Sequence, residues 1–187
     1  MADVFLEYAD TAAVNKDFSQ KRLKKLARLK NPKAAALSAA AERALIRAVR
    51  AYFPDVPLPV EYDYTDSGKP YLIGNKAYIS LSHSGDIAVC AISENEVGVD
   101  IQKISDYDKR LADRFFCREE RDYISAADNE KYAFYEIWTR KEARVKLTGE
   151  GIGTDFAEIN CLDESEYIYT VSSCENGKYV MCICEHR

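Results

Sequence analysis

Three charged side chains of this 187-residue chain have the types and spacing needed to hold a divalent cation and a pyrophosphate. Asp100 closes the apolar segment 97–101, and a carboxylate at the end of a buried strand is costly unless it is paired or bound to a cation. Glu142 and Lys146 are four residues apart, which places them on one face of a helix. Carboxylates bind magnesium and a lysine neutralises phosphate charge, so the sequence predicts phosphoryl chemistry if these groups meet.

Each of these residues also has a simpler interpretation. Asp100 could form an ordinary salt bridge, and Glu142 with Lys146 could be a surface pair that stabilises its helix by about 0.3–0.5 kcal/mol. Gln102 lies two residues beyond Asp100, on the same side of an extended chain. Its amide oxygen could complete a magnesium shell directly or through water.

Histidine is scarce, with His83 and His186 as the only two in the sequence. This excludes metal sites built from several histidines and the HExxH motif of zinc proteases. His83 stands in Ser80-Leu81-Ser82-His83-Ser84-Gly85-Asp86, where a strand runs into a turn. It either hydrogen-bonds within that turn or donates to a phosphate, assisted by the neighbouring serines and backbone N–H groups.

Charge is unevenly distributed along the chain, whose formal net charge of −5 argues against a general nucleic-acid binder. The segment 18–41 carries basic residues and no acidic one: Lys21, Arg22, Lys24, Lys25, Arg28, Lys30 and Lys33. Such a run is either a solvated helix face or a site for an anionic ligand.

Composition is that of an ordinary globular protein, with 47% hydrophobic and 30% charged residues. The N-terminal residues lack the basic start and apolar core of a signal peptide, and no apolar run approaches the roughly 20 residues that span a bilayer. Six cysteines are scattered through patterned segments, which favours reduced, buried thiols. We therefore expect a cytoplasmic protein that does not bind membranes.

Hydrophobic periodicity and turn residues predict four helices, over 16–30, 32–52, 108–125 and 132–147. Strands are predicted over 4–6, 78–82, 87–92, 97–101, 167–172 and 179–185, with a loop at 54–69 and a turn at Glu175-Asn176-Gly177. Helices followed by a strand hairpin occur twice. We expect an α+β fold of two pseudo-symmetric subdomains, 1–102 and 103–187, with a ligand cleft at their interface.

Several motifs occur in a fixed order: Gly68-Lys69-Pro70, Ser80-Leu81-Ser82-His83-Ser84, Gly98-Val99-Asp100, and Trp138-Thr139-Arg140-Lys141-Glu142-Ala143 followed by Lys146. In order and spacing, this set resembles the 4′-phosphopantetheinyl transferases, particularly the larger, monomeric, surfactin-synthetase-activating type. The resemblance covers about residues 18–155.

The resemblance implies transfer of 4′-phosphopantetheine from coenzyme A to a serine of an apo acyl or peptidyl carrier protein, with adenosine 3′,5′-bisphosphate as the other product. It implies a magnesium site at Asp100, Gln102 and Glu142, and a catalytic set of Asp100, Glu142 and Lys146. The coenzyme A residues it implies are Arg22, Lys25, Ser38, Gly68, Lys69, Pro70, Ser82, His83, Lys141 and Lys146.

Gln102 departs from the family pattern, in which many relatives carry glutamate at this position. An amide there removes one negative charge around the ion and favours weaker magnesium binding or an additional water ligand. Two alternatives to transfer remain open at this point: a non-catalytic coenzyme A or nucleotide-binding module, and a magnesium-dependent phosphohydrolase that uses the same carboxylates.

Overall fold

The computed structural model describes residues 1–9, 17–74, 77–151 and 156–187, and these form the predicted α+β fold. The strands are β1 (Asp3–Tyr8), β2 (Tyr62–Tyr64), β3 (Pro70–Leu72), β4 (Tyr78–Ser84), β5 (Ile87–Ser93), β6 (Val97–Lys103), β7 (Tyr167–Cys174) and β8 (Tyr179–His186). The helices are α1 (Gln20–Arg28), α2 (Pro32–Tyr52), α3 (Lys109–Phe115), α4 (Arg118–Ala126) and α5 (Glu130–Thr148), followed by a short 3₁₀ turn at Phe156–Glu158.

Two antiparallel sheets organise the chain. The first has the strand order β1-β5-β4-β3-β2, and the second has the order β6-β8-β7. β6 pairs along its length with β8 and therefore belongs to the second sheet. The boundary expected after Gln102 falls within this strand and stays a prediction.

Hydrophobic side chains fill three layers. One lies between the first sheet and helices α1 and α2, which together form the first half of the fold. Another lies between the second sheet and helices α4 and α5, which form the second half. The third joins the sheets face to face, where Val89 of β5 packs with Val99 of β6 and Ile183 of β8. The continuous apolar layer between the sheets fixes the position of one half against the other.

Serine side chains of β4 connect the two sheets. The hydroxyls of Ser80, Ser82 and Ser84 accept hydrogen bonds from the backbone N–H groups of Val99, Ile101 and Lys103, at 3.0, 3.3 and 3.0 Å. These N–H groups lie on the edge of β6 that faces away from β8, where they would otherwise lack partners. The alternating serines therefore build the junction between the halves.

Gly98 lets helix α5 lie directly on strand β6. A Cβ atom at this position would stand 1.8 Å from the carbonyl oxygen of Ala143 and 2.7 Å from the amide nitrogen of Leu147. No side chain fits at those distances. The glycine thus brings the helix that carries Glu142 and Lys146 close to the strand that carries Asp100.

Several predicted elements differ from the structure. The expected third helix is interrupted, because Phe116 is extended and the N–H of Cys117 donates to Glu120 at 2.9 Å, which starts a new helix. The loop expected at 54–69 contains β2, which pairs with β3, another strand that the sequence pattern did not indicate. Residue 16, the expected start of the first helix, lies outside the described residues.

Other boundaries agree closely with the sequence pattern. Helix α2 spans the predicted residues, and α5 ends at Gly149, which has a left-handed φ of +73°. The turn between β7 and β8 places Glu175, Asn176 and Gly177 at positive φ. Within the described ranges, no helix is long and apolar enough to cross a membrane.

Candidate active site

A cleft of about 380 Å³ lies where the two halves meet. Most of the side chains singled out in the sequence line it: Arg22, Lys25, Ser38, Gly68, Pro70, Ser82, His83, Asp100, Gln102, Glu142 and Lys146. They come from helices α1 and α2, the loop before β3 and its first residue, strands β4 and β6, and helix α5. Segments far apart in sequence thus form a single site.

Asp100 and Lys146 form an ion pair at the floor of the cleft. The ammonium of Lys146 donates to Oδ1 of Asp100 at 2.6 Å and to the hydroxyl of Ser82 at 2.9 Å. The Ser82 hydroxyl in turn donates to Oδ1 of Asp100 at 2.6 Å. Asp100 is only 2% exposed, whereas Lys146 is 28% exposed. The lysine is therefore the member of the pair that solvent or a ligand reaches more readily.

Gln102 holds the other oxygen of the same carboxylate. Its amide nitrogen donates to Oδ2 of Asp100 at 3.1 Å, and its amide oxygen accepts from Ser84 at 3.3 Å. The Gln102 amide carries no charge, so it can lie beside Asp100. A carboxylate in its place would be repelled by the charge of Asp100. The amide oxygen has a second lone pair besides the one that Ser84 uses.

Glu142 is half-buried in the cleft and makes no hydrogen bond to any described residue. Burial raises the pKa of its carboxyl, the negative charge of Asp100 raises that pKa further, and the charge of Lys146 lowers it. The ion pair with Lys146 that their spacing permits does not form, because Lys146 contacts Asp100 instead. Two carboxylates thus lie beside one lysine, which is paired with Asp100 alone. The site can therefore accept additional positive charge.

The opposite wall of the cleft is basic. Arg22 is buried and Lys25 is exposed; both belong to α1, whose N-terminus is capped by the hydroxyl of Ser19. His83 is exposed on β4, on the opposite side of the strand from the serines that face β6. Gly68, at a φ of +85°, turns the chain between β2 and β3. This wall is suited to an anionic ligand.

Two of the expected coenzyme A residues point elsewhere. Lys141 is 1% exposed, and its ammonium contacts Glu120 at 2.7 Å, the carbonyl oxygen of Phe156 at 2.6 Å and the carbonyl oxygen of Ile159. All three of its donors are used inside the second half, so its ammonium points away from the cleft, and its assignment to coenzyme A stays a prediction.

The ammonium of Lys69 is also directed away from the cleft. It donates to Glu96 at 3.0 Å and to the carbonyl oxygen of Leu147 at 2.5 Å. A lysine at the C-terminal end of a helix satisfies a free carbonyl group and complements the helix dipole. The side chain of Lys69 therefore anchors α5, while its neighbours Gly68 and Pro70 line the cleft.

The sequence did not single out Glu42 or Tyr62, which lie directly behind the basic wall. Glu42 is 2% exposed and is paired with Arg22, and Tyr62 donates to the same carboxylate at 2.7 Å. The sequence signal that could have revealed Glu42 is its position among alanines on an otherwise apolar helix face.

Comparison with known proteins identifies the family. The model of the 4′-phosphopantetheinyl transferase superfamily matches residues 96–185, which include β6 and α5. The 4′-phosphopantetheinyl transferase AcpT of Salmonella typhi is 36% identical over 134 residues, which are 68% of this chain and 68% of that protein. The chain belongs to the 4′-phosphopantetheinyl transferase superfamily, and the resemblance drawn from its motifs is confirmed.

Two further relatives are longer than this chain. The 4′-phosphopantetheinyl transferase gsp of Aneurinibacillus migulanus is 38% identical over 89 residues, which are 46% of this chain and 36% of that protein. The 4′-phosphopantetheinyl transferase Sfp of Bacillus subtilis is 30% identical over 96 residues, which are 50% of this chain and 43% of that protein. The chain therefore spans less than half the length of these two relatives.

Proposed function

We propose that this protein transfers the 4′-phosphopantetheine group of coenzyme A to a serine of an apo acyl or peptidyl carrier protein. The observation that carries the proposal is the cleft itself. Two carboxylates and a lysine on β6 and α5 face a basic wall from α1, which suits a substrate with a pyrophosphate at one point and further phosphate charge at another.

A magnesium ion fits the donor set of the cleft. Asp100, Gln102 and Glu142 offer the carboxylate and amide oxygens that magnesium prefers. Glu142 has no hydrogen-bond partner among the described residues, and burial together with the negative charge of Asp100 raises its pKa. Bound there, the ion would neutralise and orient the pyrophosphate oxygens.

Within the ranges that the structure describes, no group of three or more histidine, cysteine or acidic side chains is arranged so that it could hold a metal ion by itself. We therefore assign Asp100, Gln102 and Glu142 to an ion whose remaining ligands come from the substrate and from water. Magnesium usually keeps several waters and binds through one or two carboxylates together with substrate phosphates.

Each side chain has a definite role in the proposed transfer. Glu142 accepts the proton of the incoming serine hydroxyl, since it lines the cleft, is half-buried, has no competing hydrogen bond within the described residues, and has a pKa that burial raises. The serine oxygen forms a bond to the β-phosphorus as the bond to the leaving phosphate oxygen breaks. Lys146 stabilises the negative charge that develops on the pyrophosphate, and Asp100 with Ser82 holds its ammonium in place.

Binding of the nucleotide is proposed to involve the basic wall. Arg22, Lys25 and His83 would contact the 3′-phosphate with Ser38 nearby, and the Gly68–Pro70 turn would border the adenine. We further propose a monomeric protein of the cytoplasm. All six cysteines are free thiols and four of them are buried, which is compatible with a reducing compartment.

The proposal is tested by incubating the protein with coenzyme A, magnesium and a panel of apo carrier proteins, followed by intact-mass measurement of the carriers. We expect a gain of one phosphopantetheine group that is lost with EDTA and with Glu142→Ala. Near-full transfer by Glu142→Ala would contradict the assigned role of this residue.

The two alternatives give different results in the same experiment. A non-catalytic module would bind coenzyme A and modify no carrier. A phosphohydrolase would release pantetheine phosphate in the absence of a carrier. Either result would overturn the transferase proposal.

A further inference from the structure

A buried network supports the basic wall of the cleft from behind. Arg22 of α1 and Glu42 of α2 are 8% and 2% exposed, and Nε of the arginine lies 3.1 Å from Oε2 of the glutamate. The hydroxyl of Tyr62 on β2 donates to the same oxygen at 2.7 Å. Three elements of the first half therefore converge on one carboxylate, directly behind a residue that lines the cleft.

The described residues engage only part of the Arg22 guanidinium. Nε contacts Glu42 as an ion pair without an aligned hydrogen bond, and Nη2 donates to the carbonyl oxygen of Ser38. Nη1 has no hydrogen-bond partner among the described residues. The protein thus hydrogen-bonds one nitrogen and ion-pairs a second, while Arg22 as a residue lines the cleft.

The charge on Glu42 is expensive to bury. Burial raises the pKa of its carboxyl, and the hydrogen bond from Tyr62 and the charges of Arg22 and Lys25 oppose that rise. Replacing a buried ion pair with well-packed apolar residues often leaves stability unchanged or increases it. Packing alone therefore does not account for this arrangement.

We propose that Glu42 and Tyr62 are positioning residues that aim Arg22 at the 3′-phosphate of the nucleotide and so set the preference for coenzyme A over its 3′-dephospho form. The inference rests on the proposed function for the identity of the nucleotide. Neither residue contacts the reacting atoms; both act through the arginine, whose fork of N–H donors matches phosphate geometry when it is held still.

The test compares carrier modification with coenzyme A and with 3′-dephospho-coenzyme A for Glu42→Gln and Tyr62→Phe. Both changes preserve side-chain size. We expect KM for coenzyme A to rise about tenfold in Glu42→Gln, the scale of one hydrogen bond to a charged group, and less in Tyr62→Phe. The kcat and the KM for the dephospho form should stay close to wild type. An equal change in KM for both nucleotides, or no change for either, overturns the proposal.

Tyr52→Phe is the matched control. Tyr52 packs against the same core and its hydroxyl donates to Asp3 at 2.9 Å, but it lies at the far end of α2 and does not line the cleft. It should lose a comparable hydroxyl–carboxylate bond without altering the ratio of the two KM values. A shift in that ratio as large as in Tyr62→Phe would indicate a general loss of packing and overturn the proposal.

A double mutant isolates the dependence on Arg22. In an Arg22→Met background, Glu42→Gln should produce no further rise in KM for coenzyme A. An additional rise would show that Glu42 acts by another route, which contradicts the proposal.

Calorimetric binding of adenosine 3′,5′-bisphosphate and adenosine 5′-monophosphate separates this inference from the proposed function. If no carrier is modified but Glu42→Gln weakens only the bisphosphate, the transferase proposal fails and the positioning role stands. If transfer proceeds and both nucleotides bind equally well to wild type and variant, the positioning role fails alone.

Discussion

Two of the ion-paired lysines of helix α5, Lys141 and Lys146, are five residues apart and have opposite surroundings. Lys141 contacts Glu120 at 2.7 Å, and Lys146 contacts Asp100 at 2.6 Å. Lys141 is 1% exposed, and its donors are all taken by Glu120 and two backbone carbonyls. Lys146 is 28% exposed and lines the cleft beside Glu142, which has no hydrogen-bond partner among the described residues.

The contrast shows how the same residue type serves structure in one place and chemistry in another. Glu120 also accepts the N–H groups of Cys117 and Cys161, both at 2.9 Å, so the network around Lys141 is complete. Beside the Asp100–Lys146 pair, the carboxylate of Glu142 has no hydrogen-bond partner among the described residues. A buried polar network with every member satisfied rigidifies the fold, while an incomplete one open to solvent can bind a substrate.

Replacing Lys141 should have the largest effect, and that effect should be on stability. Lys141→Met leaves the 0%-exposed carboxylate of Glu120 without its cation and is expected to lower the free energy of unfolding by about 3–5 kcal/mol. The measurement is urea unfolding followed by circular dichroism. Lys141→Met combined with Glu120→Gln should recover part of the loss, and equal instability of the double variant would contradict the account.

Replacing Lys146 should affect the reaction instead. Lys146→Met is expected to lower kcat for carrier modification by about 10²–10³, the scale for removing one electrostatic stabiliser. Its loss of stability should be smaller than that of Lys141→Met, because Asp100 keeps hydrogen bonds from Ser82 and Gln102. Steady-state kinetics and urea unfolding on the same samples decide, and a reversed ranking of the two variants would break the comparison.

The smallest effect is expected in the titration of Glu142. Burial and the charge of Asp100 raise its pKa, so in the metal-free protein it should take up a proton at a higher pH than an exposed glutamate, whose pKa is about 4.3. Transfer requires the deprotonated base, so activity should fall when acidification protonates Glu142. Carbon-13 NMR of labelled glutamate follows the titration, with Glu142→Gln to assign the signal.

Lys146→Met sharpens that measurement. The charge of Lys146 lowers the pKa of Glu142, so its removal should move the midpoint to still higher pH. A midpoint that stays in place or falls would show that the two side chains are not coupled.

The sequence was most informative where local rules decide the outcome. Hydrophobic periodicity located α2 and α5, and Gly149 marked the end of α5 at a left-handed φ of +73°. The apolar alternation of β6 placed Asp100 correctly on that strand. The same rules failed at Phe116 and Cys117, where a tertiary position for Glu120 starts a new helix.

The candidate site was predictable in part. The order of the motifs gathered most of the residues that line the cleft, but it also included Lys69 and Lys141, whose ammonium groups anchor backbone carbonyls elsewhere. The serines of β4 were interpreted as phosphate donors, whereas their hydroxyls bind the edge of β6. Glu42 and Tyr62 carried no motif and were missed.

By itself, the sequence determined the family, the α+β class, and which short segments carry the acidic and basic groups. Only the tertiary structure decided which lysine reaches the cleft and which is buried, how closely α5 lies on Gly98, and what supports Arg22. The physical reason is that the spacing of hydrophobic residues along the chain indicates which face of a helix or strand is buried, and this information is local in sequence. A long charged side chain is placed by partners many residues away, and those partners meet only after the two sheets have packed together.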